Sequence, residues 1–316
     1  MVQRKKIKIT ITITIKLLLE IGFYEISRSF GLYSKHCTGR ASVLGYTAMS
    51  GNIYQELTQA FNAGRLRAIL SSGQAVVMHR LAVMSKDGDW IVREDSEALA
   101  HVLNVLEERG AHYRFGAPLD TRWLAGGWSS HFEYRADTLR VRTDFVTRPP
   151  RITPSALQAL WVHAEAEAKP VPFTDVITLV DLKKTNRERD YAVIGELARL
   201  IDDPAECLLQ SRSAQDLIAL AQEQPDLLDQ LVSKRPVLRH VRDGRDGLEV
   251  ALDAERRALM HANEHRLQLY MDAAQAWLGA WPQIDTEIAD MPLREAHATL
   301  VAYAEGRLPF RVESAS

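Results

Sequence analysis

Ser72–Asp89 reads SGQAVVMHRLAVMSKDGD, and this stretch decides the fold. It opens on Ser72 and Gly73, continues as an apolar run suited to a short helix, and closes on Asp87 and Asp89. In an extended strand, residues two apart project to the same face. The two carboxylates therefore stand side by side if this segment is a strand, and like charges held that close call for a cation. Mg²⁺ suits such a site, because it takes one or two carboxylates and fills its remaining positions with water and phosphate oxygens. Trp90, Ile91 and Val92 follow the pair and support a strand. A polar turn is the plain alternative for the four residues KDGD, since Asp and Gly are common turn formers.

A third carboxylate lies in LRVRTDFV, where Leu139, Val141 and Thr143 alternate with Arg140, Arg142 and Asp144. Asp is depleted in strands, so Asp144 among β-formers points to a use for it. Two carboxylates from one strand and a third from a neighbour can hold a pair of metal ions for in-line phosphoryl displacement.

With these residues in place, the stretch resembles the nucleotidyltransferases of the DNA polymerase β-like superfamily, in the minimal and toxin-type group. The family pattern is a Gly pair, an apolar helical run often carrying a His, then Thr or Ser shortly before D-x-D. Ser72-Gly73 stands at the Gly pair, His79 at the His, Ser85 at the hydroxyl, and Asp87/Asp89 at the acidic pair. Asp144 stands as the third carboxylate. The segment LKKTNRERDY (Leu182 to Tyr191) resembles the K-K-T-x-R-x-x-D element that follows the catalytic sheet in close relatives. The likeness spans about residues 65–205. Three positions depart from it: Ser72 replaces a Gly, Arg80 a small residue, and Val83 an Arg.

The resemblance implies an α+β fold with a small mixed sheet and packed helices, and the Ala-, Leu- and Gln-rich sequence from about residue 196 is expected to add an all-helical C-terminal domain. It implies metal-dependent transfer of a nucleotidyl group from an NTP to an acceptor hydroxyl. Asp87, Asp89 and Asp144 would be the catalytic metal ligands, holding two Mg²⁺ ions. Ser72, Gly73, Ser85, Lys183, Lys184 and Arg187 would contact the nucleotide. The rival it implies is an inactive member of the fold, binding a protein partner from a neighbouring gene in a toxin–antitoxin or phage-defence pair. A third reading makes the basic run 183–189 a nucleic-acid contact, and a charge run is otherwise simply a solvated helix face.

The chain has 316 residues, enough for two domains, with 46% hydrophobic and 25% charged residues as in ordinary globular proteins. A formal charge of -2 gives no general attraction to nucleic acid. Cys37 and Cys207 are too few and too far apart for a disulfide framework or a zinc site, which fits a reducing cytoplasm. No apolar run approaches the roughly 20 residues of a membrane-spanning helix.

Residues 1–48 differ from the rest. Eight Lys/Arg face two Glu there, so the remaining 268 residues carry -8. The basic start and apolar run suggest a signal peptide, but Glu20 interrupts the run and no small-residue cleavage site follows. The blander reading is an extension outside the functional protein, with Met49 as a natural start before an amphipathic helix. The domains expected are therefore 1–48, the extension; 49–195, the nucleotidyltransferase-like domain; and 196–316, the helical domain.

Along the chain, Ile53, Leu57, Phe61 and Leu66 approach helical spacing. Leu99, Val102, Leu103 and Leu106 form one face of a helix capped by Asp95 or Ser96 and ended by Gly110. Residues 111–135 read as loops around short strands. Within them, Ser129, Ser130 and His131 lack the elbow of a serine hydrolase. The His131 strand is expected to pair with the Asp144 strand. Arg114, Arg122, Arg140 and Arg142 either hold a triphosphate or solvate a face. VITLV (176–180) is expected as one more strand, with Lys183 and Arg187 then on one helical turn. His261 and His265 are expected to face solvent. Met260, Leu267, Tyr270, Met271 and Trp277 are expected in the core of a small helical bundle, and the tail after GRLPF is expected to be disordered.

Overall fold

The computed structural model describes residues 52–312. The basic extension 1–48, the Met49 start and the end of the tail (313–316) lie outside the described residues.

The described chain opens with α1 (Ile53–Phe61), β1 (Ala68–Ser71), α2 (Ser72–Met78), β2 (Asp87–Val92), α3 (Ser96–Glu108) and β3 (His112–Gly116). The short α4 (Thr121–Leu124) precedes β4 (Ser130–Ala136) and β5 (Leu139–Val146). Helices then take over: α5 (Pro154–Glu167), α6 (Val176–Lys183), α7 (Glu188–Ala198), α8 (Pro204–Gln210), α9 (Ala214–Glu223) and α10 (Pro225–Leu231). A 3₁₀ helix (Pro236–Asp243) leads into α11 (Gly244–Ala273), α12 (Gln275–Ile288) and α13 (Leu293–Glu305). Caps mark the helix starts: Asp95 accepts from the Ala98 N–H and Thr153 from the Ala156 N–H, each satisfying a donor the helix leaves open.

The sheet is mixed, in the order β1-β2-β5-β4-β3. β2 and β5 run parallel, and the other neighbours are antiparallel. One face is the main core. Trp90 of β2 stacks on Phe145 of β5 at 5.4 Å, and Phe61 of α1 meets both rings edge-on at 5.3 and 5.6 Å. The buried Trp90 indole N–H is satisfied by Thr58 Oγ1 at 2.9 Å. Gly88, between the two aspartates, lies against this core, where a Cβ would meet the Trp90 ring at 2.3 Å. The strand period of two sends Trp90 inward and Asp87, Asp89 and Ile91 to the other face.

VITLV is not a strand. Its residues open α6, because Asp175 caps the segment by accepting from Thr178 N at 2.9 Å and from Thr178 Oγ1 at 2.6 Å. Leu179 and Val180 are fully buried against Ala75 and Val76 of α2 and Ile194 of α7. Tertiary packing and the cap override the β propensity of a branched run. Lys183 and Arg187 consequently do not share a helical turn: Lys183 ends α6 and Arg187 caps α7.

The helices after residue 204 divide their packing. Leu208, Leu217, Leu238 and Leu248 form a core of their own with their neighbours. Met271, Trp277, Trp281, Ile284 and Leu300 instead join the core of the sheet, with Trp281 edge-on to Phe115 at 4.8 Å. The expected bundle residues Met271 and Trp277 thus close onto the sheet. Tyr270 packs against Trp128 at 4.9 Å. The 30-residue α11 reaches from one core to the other, about 45 Å at helical rise.

Candidate active site

Strand register assembles the site. Ser71 of β1 is opposite Asp89 of β2, Asp89 is opposite Asp144 of β5, and Asp144 is opposite His131 of β4. Register partners share a face, so these four side chains form a polar row across the sheet. Two residues along each strand lies a second row, Asp87, Arg142, Glu133 and His112. Acidic and basic side chains alternate along it, with Arg142 Nη1 3.7 Å from Asp87 Oδ1 and His112 Nε2 3.4 Å from Glu133 Oε1.

The first row is charged differently. Asp89 is buried, at 6% exposure, and its Oδ1 has no hydrogen-bond partner among the described residues. Burial holds its pKa well above the usual carboxylate range, and the charges of Asp144 and Asp87 push the same way. Asp144 goes the other way. Burial raises its pKa, but His131 and Arg114 outweigh burial and keep it below the ordinary value. Arg114 Nη2 and His131 Nδ1 both lie 2.8 Å from Asp144 Oδ1. His131 Nε2 in turn lies 2.8 Å from Ser129 Oγ, so a Ser–His–Asp string runs along the edge of the site.

A cleft opens over this row. It is lined by Ser72, Asp89, Ser129, His131 and Asp144 on the sheet side, by Asn186 and Arg187 from the α6–α7 loop, and by Arg151, Asn263, Arg266 and Tyr270. Among the expected site residues, the structure therefore brings Ser72, Asp89, Asp144 and Arg187 to one cleft. Asp87 sits at its edge, with a side chain 35% exposed.

Gly73 and Ser85 do not line the cleft; they touch each other behind it. A Cβ on Gly73 would meet Ser85 Oγ at 2.3 Å, so the hydroxyl-bearing loop packs directly on the glycine. Gln74 donates to the Ser85 carbonyl at 2.9 Å and ties the loop to α2. Two departures from the family pattern, Ser72 and Arg80, have φ of 50° and 62°, the left-handed region that favours glycine. His79 reaches the Thr174 carbonyl at 2.9 Å and meets the Phe173 ring, fixing the end of α2.

The basic run is consumed internally. Lys183 is buried, 3.8 Å from Asp190, and Arg187 Nη2 lies 2.8 Å from the same carboxylate. Lys184 bonds Asp181 at 2.6 Å and Gln210 at 2.8 Å. Thr185 donates to Asp190 at 2.6 Å, and Tyr191 donates to the Thr185 carbonyl at 3.0 Å. Burial lowers the Lys183 pKa, with Asp190 and then Asp89 pulling it back. The element is a brace that holds residues 185–187 over the cleft, with Arg189 as its exposed cation.

The α11 contribution has no local signal in the sequence. Asn263 is buried, donates to the Lys184 carbonyl and accepts from Arg151, knitting helix, brace and loop together. His261 and His265, the pair nearby, face solvent as expected.

No group of three His, Cys, Asp or Glu among the described residues is arranged to hold a metal ion. The buried, partnerless oxygen of Asp89 beside Asp87 nevertheless fits one divalent cation. Both close contacts of Asp144 fall on Oδ1.

No family model matches the chain, and no curated protein matches it. Two solved structures are similar to it at low level. One is a Helicobacter pylori protein described as a candidate nucleotidyltransferase, at 13% identity and a TM-score of 0.33, covering 67% of this chain and 95% of that one. The other is JHP933 from Helicobacter pylori, at 13% identity and a TM-score of 0.31, covering 68% of this chain and 93% of that one. Likeness at this level carries no inference about activity, which rests on the residues of the cleft.

Proposed function

We propose that the protein is a metal-dependent nucleotidyltransferase, moving a nucleotidyl group from an NTP to an acceptor hydroxyl. The observation that carries this reading is the pairing of Asp89 with Asp144 on adjacent parallel strands, beneath a cleft and with one buried oxygen of Asp89 lacking a partner. A buried carboxylate beside two others is costly and is relieved by a cation.

In this reading Asp89 and Asp87 hold Mg²⁺, and Asp144, oriented through Oδ1 by Arg114 and His131, holds a second ion or takes the proton of the acceptor hydroxyl. Bound Mg²⁺ supplies charge neutralisation along the phosphates. Ser72, which lines the cleft, brings backbone toward the phosphates. Ser85 fixes the strand entry through Gly73, and Lys183, Lys184 and Arg187 brace the cleft. The test is transfer of label from an α-labelled NTP in Mg²⁺. The reading expects transfer by the parent and none by Asp87→Ala/Asp89→Ala; equal transfer by both overturns it.

A second reading is supported by the same contacts. Arg114 and His131 already contact Asp144, Arg142 lies near Asp87, and Ser72 occupies a glycine's conformation. These features suit an inactive nucleotidyltransferase fold that binds a protein partner in a toxin–antitoxin or phage-defence pair. Such a scaffold shows no metal-dependent binding of ATP.

A further inference from the structure

The far wall of the cleft carries charge of the opposite sign to the row of carboxylates. Arg266, on α11, is half-buried there, and its Nε has no hydrogen-bond partner among the described residues. Its guanidinium lies over the Tyr270 ring, 5.3 Å from the centroid, and no carboxylate stands within ion-pair distance among the described residues. Arg151 lines the same wall. It donates to the Asp181 and Leu182 carbonyls at 2.9 and 2.7 Å, and to Asn263, but pairs with no carboxylate. Burial lowers the Arg151 pKa to about 10, and the charge of Arg266 adds to that fall, against the opposing pull of Tyr191, Asp190 and Asp181. Burial also lowers the pKa of Arg266. A desolvated cation with no carboxylate beside it, as at Arg266, is unfavourable in an empty protein and favourable once an anion enters.

We propose that Arg266, supported by Arg151, is a phosphate-binding subsite that takes the polyphosphate tail of the nucleotide. A guanidinium presents a fixed fork of donors that matches phosphate oxygens, and in a partly dry cleft such bonds are strong. The tail would span from the cation held by the carboxylates to the α11 wall, so the C-terminal helices complete the site formed by the sheet. The inference rests on the nucleotidyltransferase reading for the identity of the ligand, but its chemistry needs only a phosphate chain.

The experiment uses the full chain with tripolyphosphate as probe, in chelator and without divalent ions, followed by calorimetry and thermal melting. Arg266→Gln is expected to weaken tripolyphosphate binding about tenfold or more. It is also expected to raise the melting temperature of the ligand-free protein by about 2 °C, because an uncompensated charge is removed. A merely structural arginine would lower it. Asp89→Asn is expected to keep tripolyphosphate binding while abolishing transfer of an α-labelled nucleotide. Equal binding by wild type and Arg266→Gln, no binding by wild type, or a lowered ligand-free melting temperature in Arg266→Gln each overturns the subsite. Tighter binding of AMP than of tripolyphosphate also overturns the assignment to the tail. Failure of the nucleotidyltransferase reading appears separately, as retained phosphate binding with no label transfer by the wild type.

Discussion

Around Glu255, one carboxylate sits between two guanidiniums; around Asp89, one carboxylate sits between two others. Arg235 donates to Glu255 through Nε at 3.1 Å and Nη2 at 2.9 Å, and Arg212 through Nη1 at 2.6 Å. Arg235 also donates to the Leu208 carbonyl at 2.7 Å, so the cluster ties α11 to α8. Burial raises the Glu255 pKa, but the Arg235 hydrogen bonds and both positive charges outweigh it and hold it below the usual value. At Asp89 every large influence except Lys183 and Arg187 raises the pKa. The chain thus has the means to satisfy a buried carboxylate, uses them at Glu255 and Asp144, and does not use them at Asp89. Unsatisfied charge at one place in a fold that satisfies it elsewhere supports the proposed binding site.

The largest expected effect breaks the satisfied cluster. Glu255→Gln leaves two guanidiniums without their carboxylate and should cost about 3 kcal/mol, read by thermal or denaturant unfolding. If it is silent, the contrast between the two regions fails. Because the folded pKa of Glu255 is lowered, its contribution is present above the unfolded value of roughly 4.3 and is lost as pH falls through the folded value. The acid limb of the stability profile should therefore flatten in Glu255→Gln.

Next in size is the packing behind the cleft. Gly73→Ala forces a Cβ into Ser85 and should cost about 2 kcal/mol. The double variant with Ser85→Gly should be more stable than the two single costs together predict, since the clash is shared. Additive costs would show that Gly73 serves something other than this contact.

Asp89→Asn should act in the opposite direction to Glu255→Gln. In chelator it should stabilise the protein by about 1 kcal/mol at neutral pH, because it removes an uncompensated charge without changing size. The sign follows from linkage: the raised folded pKa of Asp89 gives stability that is full below roughly pH 3.9 and is lost as pH rises through the folded value. Destabilisation by this variant in chelator would mean that the carboxylate is structurally satisfied.

The smallest effects belong to the backbone. Arg80→Gly and Ser72→Gly relieve left-handed φ angles but add freedom to the unfolded chain, so each should fall within about 0.5 kcal/mol of wild type or be stabilising. A loss of 2 kcal/mol or more at Arg80 would assign its side chain a packing role that its exposure does not indicate.

How much of this was legible varied with the range of the interactions. The acidic row follows from local patterns: two aspartates two apart before an apolar run, and the alternation of Leu139, Val141 and Thr143 with Arg140, Arg142 and Asp144. The pairing of the His131 and Asp144 strands also followed, because short strands joined by a tight turn pair with each other. VITLV misled because β-branched residues at a helix start look like a strand unless Asp175 is read as a cap. The Arg114 and His131 contacts to Asp144 were left open, since Arg114 fits a solvated face as well and His131 a satisfied strand histidine. The α11 wall was illegible: Asn263, Arg266 and Tyr270 reach the cleft only because the C-terminal helices fold back on the sheet, and nothing in their spacing distinguishes a cleft face from a bundle face.

The most direct test of the central claim is calorimetric titration of ATP into the full chain, with Mg²⁺ and with chelator, in wild type and Asp89→Asn. The account predicts Mg²⁺-dependent binding in the wild type that is lost in the variant. Binding that ignores Mg²⁺, or that is the same in both proteins, would contradict it.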